Sequence, residues 1–376
     1  MKTPLAWRNI THNKLRSLAA LSGVAFAILL IFMQLGFHDA SARSAVLLTN
    51  ALDFDLLLVS PQYLFVARPG SLPRTRVAQA RAVEGVADVV PFHVGWGEWR
   101  SRESGLCWGM LVLAVDPARQ PFRSPELNAR LPLLHGADTA LVDDMTRPEY
   151  GPHGPGDTAE LDGHRLTVVG QYHMGTGFTA NGALLTGPHT FARLFGADRL
   201  HTPSFGLVRL APGADARQVT DRLRAALPSD VQVVTRAQLD GYEQSFWLNV
   251  KPIGIMFTSG VVVAFAVGAV ILYQVLASEV QNRLGEYATL KAMGHPDRAV
   301  YMVVVQQALM FAAMGYVPAL LDALLVYHLV RKYALLPIVM TPERLVFVAG
   351  LAVAMCLLSC GLAVRRLRRA DPADLF

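Results

Sequence analysis

Four long apolar stretches dominate the hydropathy pattern of the chain. Each lacks Asp, Glu, Lys and Arg, and no other stretch of comparable length does: residues 18–37, 252–277, 299–321 and 345–364. A helix that crosses a bilayer needs about 20 apolar residues, because the lipid interior satisfies neither charges nor exposed backbone groups. The pattern predicts four transmembrane helices, at 18–37, 252–277, 299–330 and 345–364.

The segment between the first two apolar stretches, residues 38–251, has a mixed strand and helix pattern. Period-2 alternation, amphipathic runs and turn residues predict two strand-helix-strand units. The first is predicted at 53–60, 73–83 and 86–94, and the second at 205–210, 215–227 and 231–234. We expect both units to share one sheet.

Residues 95–201 are rich in Gly, Pro and short apolar runs. Residues 158–161 and 165–169 are joined by Asp162-Gly163, a dipeptide typical of tight hairpins. We interpret 95–201 as an inserted β-rich subdomain. The predicted fold class is an α-helical membrane protein with four transmembrane helices and a large extracytoplasmic α+β domain.

Basic residues indicate the orientation of the chain. They cluster before the first apolar stretch, between the second and third, and after the fourth: Lys2, Arg8, Lys14, Arg16; Arg283, Lys291, Arg298; Arg365, Arg366, Arg368, Arg369. Cytoplasmic loops carry an excess of Lys and Arg. We therefore expect an amphipathic N-terminus (1–17), a loop (278–298) and a tail (365–376) in the cytoplasm, and a short loop (331–344) outside with the large domain.

Composition agrees with a membrane protein: 52% of residues are hydrophobic, 17% are charged, and mean hydropathy is +0.33. The net charge is +5, but residues 38–250 hold 19 Arg, no Lys and 22 acidic residues, a net of −3. The basic excess lies beside the membrane, so nucleic-acid binding is not implied. A cleaved signal peptide ending near Ala40-Ser41-Ala42 is the alternative reading of the first stretch.

Motifs for catalysis are missing from the sequence. It contains no Gly-Lys pair for a phosphate-binding loop, no H-E-x-x-H, no G-x-S-x-G and no C-x-x-C. Seven outer histidines are scattered without metal-ligand spacing: His93, His135, His153, His164, His173, His189 and His201. We expect no enzyme activity, no metal and no cofactor in this chain.

Two sets of ionisable residues admit two readings each. Asp143-Asp144 is either a carboxylate pair or a turn, and we favour the turn because adjacent residues on a strand point to opposite faces. Asp322 and His328 suggest a proton relay or an interfacial position. Asp322 lies about 34 Å along the third helix, which favours the interface.

The cytoplasmic segment 278–298 predicts a short helix. Arg283, Glu286, Leu290 and Met293 recur at helical spacing, and Gly294 followed by Pro296 ends the helix. A simple solvated connector is the alternative, although a connector would not need the apolar positions. We predict that this helix is a docking element.

This segment resembles the signature R-x-x-E-[IY]-[GA]-x-[LM]-[RK]-A-[LM]-G of FtsX/MacB-type ABC transporter permeases. The residues that match it or lie within it are Arg283, Glu286, Tyr287, Leu290, Lys291, Ala292, Met293 and Gly294. Residues 142–143, 156–170 and 210–215 are similar to the MacB-like periplasmic core. The resemblance implies a coupling helix that docks on a separate ABC ATPase subunit, which binds ATP and Mg, in the bacterial inner membrane.

Residues 4–7, 33–37 with Asp39, and 55–62 are similar to DevC-type permeases. This resemblance implies an ATPase of the DevA kind, a periplasmic membrane-fusion adaptor of the DevB or HlyD kind, indirect contact with a TolC-like channel, and glycolipid as a possible cargo. We expect a homodimer in contact with membrane lipid. The alternatives are an FtsX-like subunit that regulates an envelope hydrolase, and a receptor that needs no ATPase.

Overall fold

The computed structural model describes residues 14–175, 177, 179–282 and 297–369. The chain divides into two compact units. A helical unit comprises residues up to 40, 253–334 and those from 338 onwards, and an outer unit comprises residues 41–252 with 335–337.

The helical unit contains the long apolar helices. They are α1 (Lys14–Ala45), α8 (Ile253–Asn282), α9 (Asp297–Leu329) and α10 (Pro342–Arg369). In the described part of the chain, four helices are long and apolar enough to cross a membrane. The predicted fold class is therefore confirmed.

Each helix extends beyond its apolar stretch. The 32-residue α1 continues to Ala45, eight residues past the apolar stretch, and is about 48 Å long against a hydrocarbon core of about 30 Å. α10 begins at Pro342 and runs to Arg369, into the segment that the sequence assigns to the tail. Hydropathy indicates only the part of a helix that is apolar enough to lie in lipid. The helix itself continues as long as its backbone hydrogen bonds do.

Close helix contacts depend on glycine. A Cβ built on Gly260 would lie 2.4 Å from Cδ of Gln34, and one on Gly268 would lie 2.7 Å from Cβ of Ala27. Both glycines therefore let α8 pack closely on α1.

The outer unit is built on one nine-stranded sheet. Its strands are β1 (Leu56–Val59), β2 (Val86–Arg100), β3 (Cys107–Ala114), β4 (Thr139–Asp143), β5 (Thr158–Leu161), β6 (His164–Tyr172), β7 (Ala183–Thr186), β8 (Phe205–Leu210) and β9 (Gln232–Thr235). The strand order is β3-β7-β4-β6-β5-β2-β8-β1-β9, with β3 also paired to β2. The sheet shared by both strand-helix-strand units is thus confirmed.

Helices cover this sheet at intervals along the chain. They are α2 (Leu47–Ala51), α3 (Arg74–Arg81), α4 (Pro125–Arg130), α5 (Pro188–Phe195), α6 (Ala216–Ala226) and α7 (Arg236–Ser245). A π-helical turn, Phe246–Val250, connects α7 towards α8. The predicted helices at 73–83 and 215–227 correspond to α3 and α6.

The inserted region is a closed ring of six strands. Because β3 pairs with both β7 and β2, the pairs β2-β3-β7-β4-β6-β5-β2 return to their start. Large side chains such as Trp99, Met110, Tyr150 and Phe191 are buried in one cluster with the apolar residues of these strands. β2 extends six residues beyond its predicted end, because residues 93–100 pair with β3.

Candidate functional site

A buried arginine joins three helices of the helical unit. Arg344, in the first turn of α10, is 4% exposed. Its guanidinium forms an ion pair with Asp39 of α1 and donates hydrogen bonds to the hydroxyl of Tyr327 of α9 (3.2 Å) and to the carbonyl of Val339 (2.7 Å). We call Arg344, Asp39 and Tyr327 the arginine tie.

Tyr327 extends the tie back to α1. Its hydroxyl donates to the carbonyl of Phe32, and its side chain lies against Gly36, where a Cβ would meet the ring. Removing one partner of a buried charged hydrogen-bonded pair costs several kcal/mol, since the other charge is left without compensation. The half-exposed Asp39 reduces that cost, and the tie still fixes α1, α9 and α10 to each other at one end.

In the outer unit, Arg236 is the first residue of α7, the helix that precedes α8 in the chain. Its guanidinium donates to the carbonyls of Thr49 (2.7 Å), Leu52 (3.0 Å) and Phe54 (3.0 Å), and it lies 3.9 Å from the centre of the Phe54 ring. The segment 49–54 follows α1 closely in the chain. The side chain of Arg236 therefore connects the segment that follows α1 to the helix that precedes α8.

A buried carboxyl group forms a second contact of α7, with the segment that follows β1. Glu243 of α7 is fully buried and accepts a hydrogen bond from the hydroxyl of Tyr63. Burial raises the pKa of Glu243 to about 8, against the opposing effect of the hydrogen bonds from Tyr63 and Val66. Burial and the neighbouring Glu243 raise the pKa of Tyr63 well above its usual value. Glu243 is therefore mostly neutral at pH 7.

The Asp143-Asp144 pair is a turn, as predicted. Asp143 is buried and accepts hydrogen bonds from the backbone N–H groups of Met145 (3.1 Å), Met174 (3.3 Å) and Gly175 (2.7 Å). Burial raises its pKa to about 6. Asp144 instead pairs with the exposed His173 at 2.8 Å. The two carboxyl groups have separate structural roles.

The remaining predicted positions have no common centre. Within the described ranges, no group of three or more His, Cys, Asp or Glu side chains is placed to hold a metal ion. Asp322 and His328 are exposed on α9. The predicted ATPase-coupling residues, from Arg283 to Gly294, lie outside the described residues, between the end of α8 at Asn282 and the start of α9 at Asp297.

Sequence reasoning missed Arg344 and Glu243. The sequence assigns Arg344 to an outer loop, whereas the structure places it in α10. A signal was present, because the predicted orientation puts Arg344 on the outer side of a span, against the usual excess of basic residues inside. Glu243 gives no such signal, since its burial follows from packing against Tyr63.

Two family models match the chain. Residues 17–226 match the MacB-like periplasmic core domain, and residues 258–372 match the FtsX-like permease C-terminal. The first match alone covers more than half of the chain. The chain belongs to the FtsX/MacB-like permeases of ABC transporters, a family of transport subunits rather than classical enzymes, which work with ATPase partners.

Three solved structures are similar to part of this chain. The extracellular domain of the noncanonic ABC-type transporter YknZ from Gram-positive bacteria is 14% identical, with a TM-score of 0.34, and the match covers 48% of this chain and 99% of that one. The periplasmic region of MacB from Actinobacillus actinomycetemcomitans is 7% identical, with a TM-score of 0.36 and coverages of 52% and 94%.

A domain of a putative permease protein from Porphyromonas gingivalis is 13% identical, with a TM-score of 0.31, and the match covers 48% of this chain and 91% of that one. No curated protein sequence matches the chain.

Proposed function

We propose that this chain is the permease of an ABC-type exporter in the bacterial inner membrane, with both termini in the cytoplasm. A separate ATPase binds the cytoplasmic segment 278–298, and ATP binding and hydrolysis move the membrane helices. These helices act as levers on the outer unit. The cargo is envelope material, with glycolipid as the first candidate, because of the similarity to DevC-type permeases.

The observation that carries this proposal is the arginine tie. Arg344 joins α10 to Asp39 of α1 and to Tyr327 of α9, so a displacement of one helix is passed to the other two. α1 itself continues to Ala45 without a break. A helix of this length transmits displacement along its axis, which favours force transmission over passage of a soluble substrate through the spans.

Two copies of the chain form the complete machine in this proposal. A pair of ATPase subunits closes around ATP, and four helices supply half of a symmetric membrane part. The outer units of the homodimer then pass cargo to a periplasmic adaptor of the DevB or HlyD kind, which leads to a TolC-like channel.

Co-purification with the ATPase tests the proposal. We expect wild type to retain a co-expressed partner ABC ATPase, and Glu286→Arg or Leu290→Asp to lose it, because both residues belong to the helix that the sequence predicts as the docking element. The matched control is Glu103→Arg, an exposed position between β2 and β3 in the outer unit. Equal ATPase retention by all variants would contradict the proposal.

The same experiment bears on the regulatory alternative. An FtsX-like subunit would also retain an ATPase, but it would bind a murein hydrolase in the periplasm instead of an adaptor with a long coiled coil. The protein captured by the outer unit of the full chain distinguishes the two.

A further inference from the structure

A surface cavity of about 400 Å³ lies where the outer unit returns to the membrane helices along the chain. One wall is a turn that contains Leu64, Phe65 and Arg68, and the other is the π-helical turn with Phe246 and Val250, followed by Lys251. α8 begins at Ile253, so the Cα atom of Lys251 is within about 7 Å of a helix that enters the bilayer.

The walls of this cavity are held in place by aromatic contacts and backbone hydrogen bonds. The rings of Phe65 and Phe246 stack with centroids 4.3 Å apart, and Trp247 meets Phe65 edge-on at 5.8 Å. The turn is closed by the N–H of Leu64, which donates to the carbonyl of Arg68 at 3.2 Å, and by the N–H of Arg68, which donates to Phe65 at 2.8 Å. These contacts fix the two walls of the cavity relative to each other.

Two positive charges of the cavity are available to a ligand. Among the described residues, neither Arg68 nor Lys251 has a carboxylate partner, and Lys251 Nζ lies 5.8 Å from the centre of the Phe246 ring. Other arginines of the unit, such as Arg76 and Arg119, are paired with carboxylates. This local positive charge contrasts with the net charge of −3 on residues 38–250.

Apolar side chains beside these charges are exposed. Leu64 is 50% exposed and Val250 is 70% exposed. Aromatic and basic side chains next to exposed apolar ones are typical of the membrane-water interface, where one end of a ligand is charged and the other is hydrocarbon.

We propose that this cavity binds the phosphate headgroup of an anionic phospholipid in the leaflet on the side of the outer unit. Arg68 and Lys251 bind the phosphate, and Leu64 and Val250 contact the glycerol and the first methylenes. The bound lipid keeps the segment just before α8 at the membrane surface. This site does not depend on the ATPase or on the cargo.

Lipid titration of the full-length chain tests this site. Delipidated protein in detergent is titrated with phosphatidylglycerol, and the first bound lipid is measured by native mass spectrometry. Each basic residue near an anionic lipid surface contributes about a fivefold change in affinity, so Arg68→Gln with Lys251→Gln should weaken binding about 30-fold. Lys251→Gln alone should weaken it about fivefold.

The matched control is Arg102→Gln with Arg217→Gln, which removes two charges from exposed positions elsewhere in the outer unit. It should bind phosphatidylglycerol as wild type does. Leu64→Ser should also weaken lipid binding, because it removes apolar contact without a change of charge.

Three results would overturn the proposal. They are wild-type affinity in the double variant, equal affinity of wild type for phosphatidylcholine and phosphatidylglycerol, and complete displacement of the lipid by inorganic phosphate at millimolar concentration. The last would show a site for free phosphate. ATPase co-purification is measured on the same samples, so loss of lipid binding and loss of ATPase docking are distinguished.

Discussion

Glu243 is a carboxyl group that the fold keeps neutral. Its burial beside Tyr63 raises its pKa from 4.5 to about 8, so the unfolded chain releases a proton at pH 7 that the folded chain retains. The folded-state pKa is the higher one. Glu243 therefore contributes most to the stability of the outer unit below about pH 4.5. This contribution is lost as the pH rises through about 8.

Replacement of Glu243 by glutamine should remove this pH dependence. The amide oxygen still accepts the hydrogen bond from Tyr63, and no charge has to be buried above pH 4.5. The penalty removed at pH 8 is on the order of 4 kcal/mol, less the cost of burying the amide. We expect the unfolding temperature of Glu243→Gln, followed by tryptophan fluorescence, to exceed that of wild type by about 5 °C or more at pH 8.

At pH 5 the two proteins should unfold within a degree or two of each other. Glu126→Gln, an exposed position of α4, is the control and should behave as wild type at both pH values. An equal difference between Glu243→Gln and wild type at pH 5 and pH 8 would show that Glu243 is not protonated in the fold.

At the scale of the elements, the close contact of α8 with its neighbours depends on Gly268. A Cβ at this position would lie 2.4 Å from the sulfur of Met355 and 2.7 Å from Cβ of Ala27. Met355 can rotate away, but Ala27 cannot. α8 therefore has to move away from α1 if residue 268 carries a side chain.

Gly268→Ala should destabilise the helical unit by about 1 to 3 kcal/mol, as overpacking of a close-packed interior does. The matched control is Gly350→Ala on α10, where a Cβ would meet nothing within 4 Å. Thermal unfolding in detergent compares the two. Equal unfolding temperatures for both variants would mean that α8 and α1 are not in close contact.

Elements with a local signal could be predicted from the sequence, and those that depend on distant partners could not. The four apolar helices and β8 at 205–210 follow from hydropathy and alternation. The ring of strands depends on β2 pairing with β5 and on β3 pairing with β7, and the two strands of each pair are far apart in the chain. Arg344 pairs with Asp39, which is 305 residues away, so the sequence can mark Arg344 as unusual but cannot indicate its partner.

At the scale of the whole molecule, the proposed homodimer converts ATP binding by its cytoplasmic ATPase into movement of the two outer units. Cys107 is the exposed cysteine of the chain, and Cys356 and Cys360 are buried in α10. A thiol reagent therefore labels one position, beside the turn that joins β2 and β3. In a homodimer, two labels report the separation of the outer units.

We expect the distance between spin labels on Cys107, measured by pulsed electron resonance in the complex with its ATPase, to change when ATP and vanadate are added. Arg344→Gln should retain the ATPase but lose this change, because α10 is no longer fixed to Asp39 of α1. The control Arg102→Gln should respond as wild type does. The absence of dipolar coupling between labels would contradict the homodimer. A wild-type change in label distance in Arg344→Gln would contradict the role of the arginine tie.

β2 belongs to three packing clusters at once. Its even-numbered residues Phe92 and Val94 are buried in one cluster, and its odd-numbered residues Val89 and Trp99 are buried in two others. Neighbouring residues of a strand point to opposite faces of the sheet. One residue inserted near Val94 would therefore move each side chain of residues 95–100 to the opposite face. Length changes within β2 are thus restricted to even numbers, and segments can be exchanged between relatives only with that parity kept.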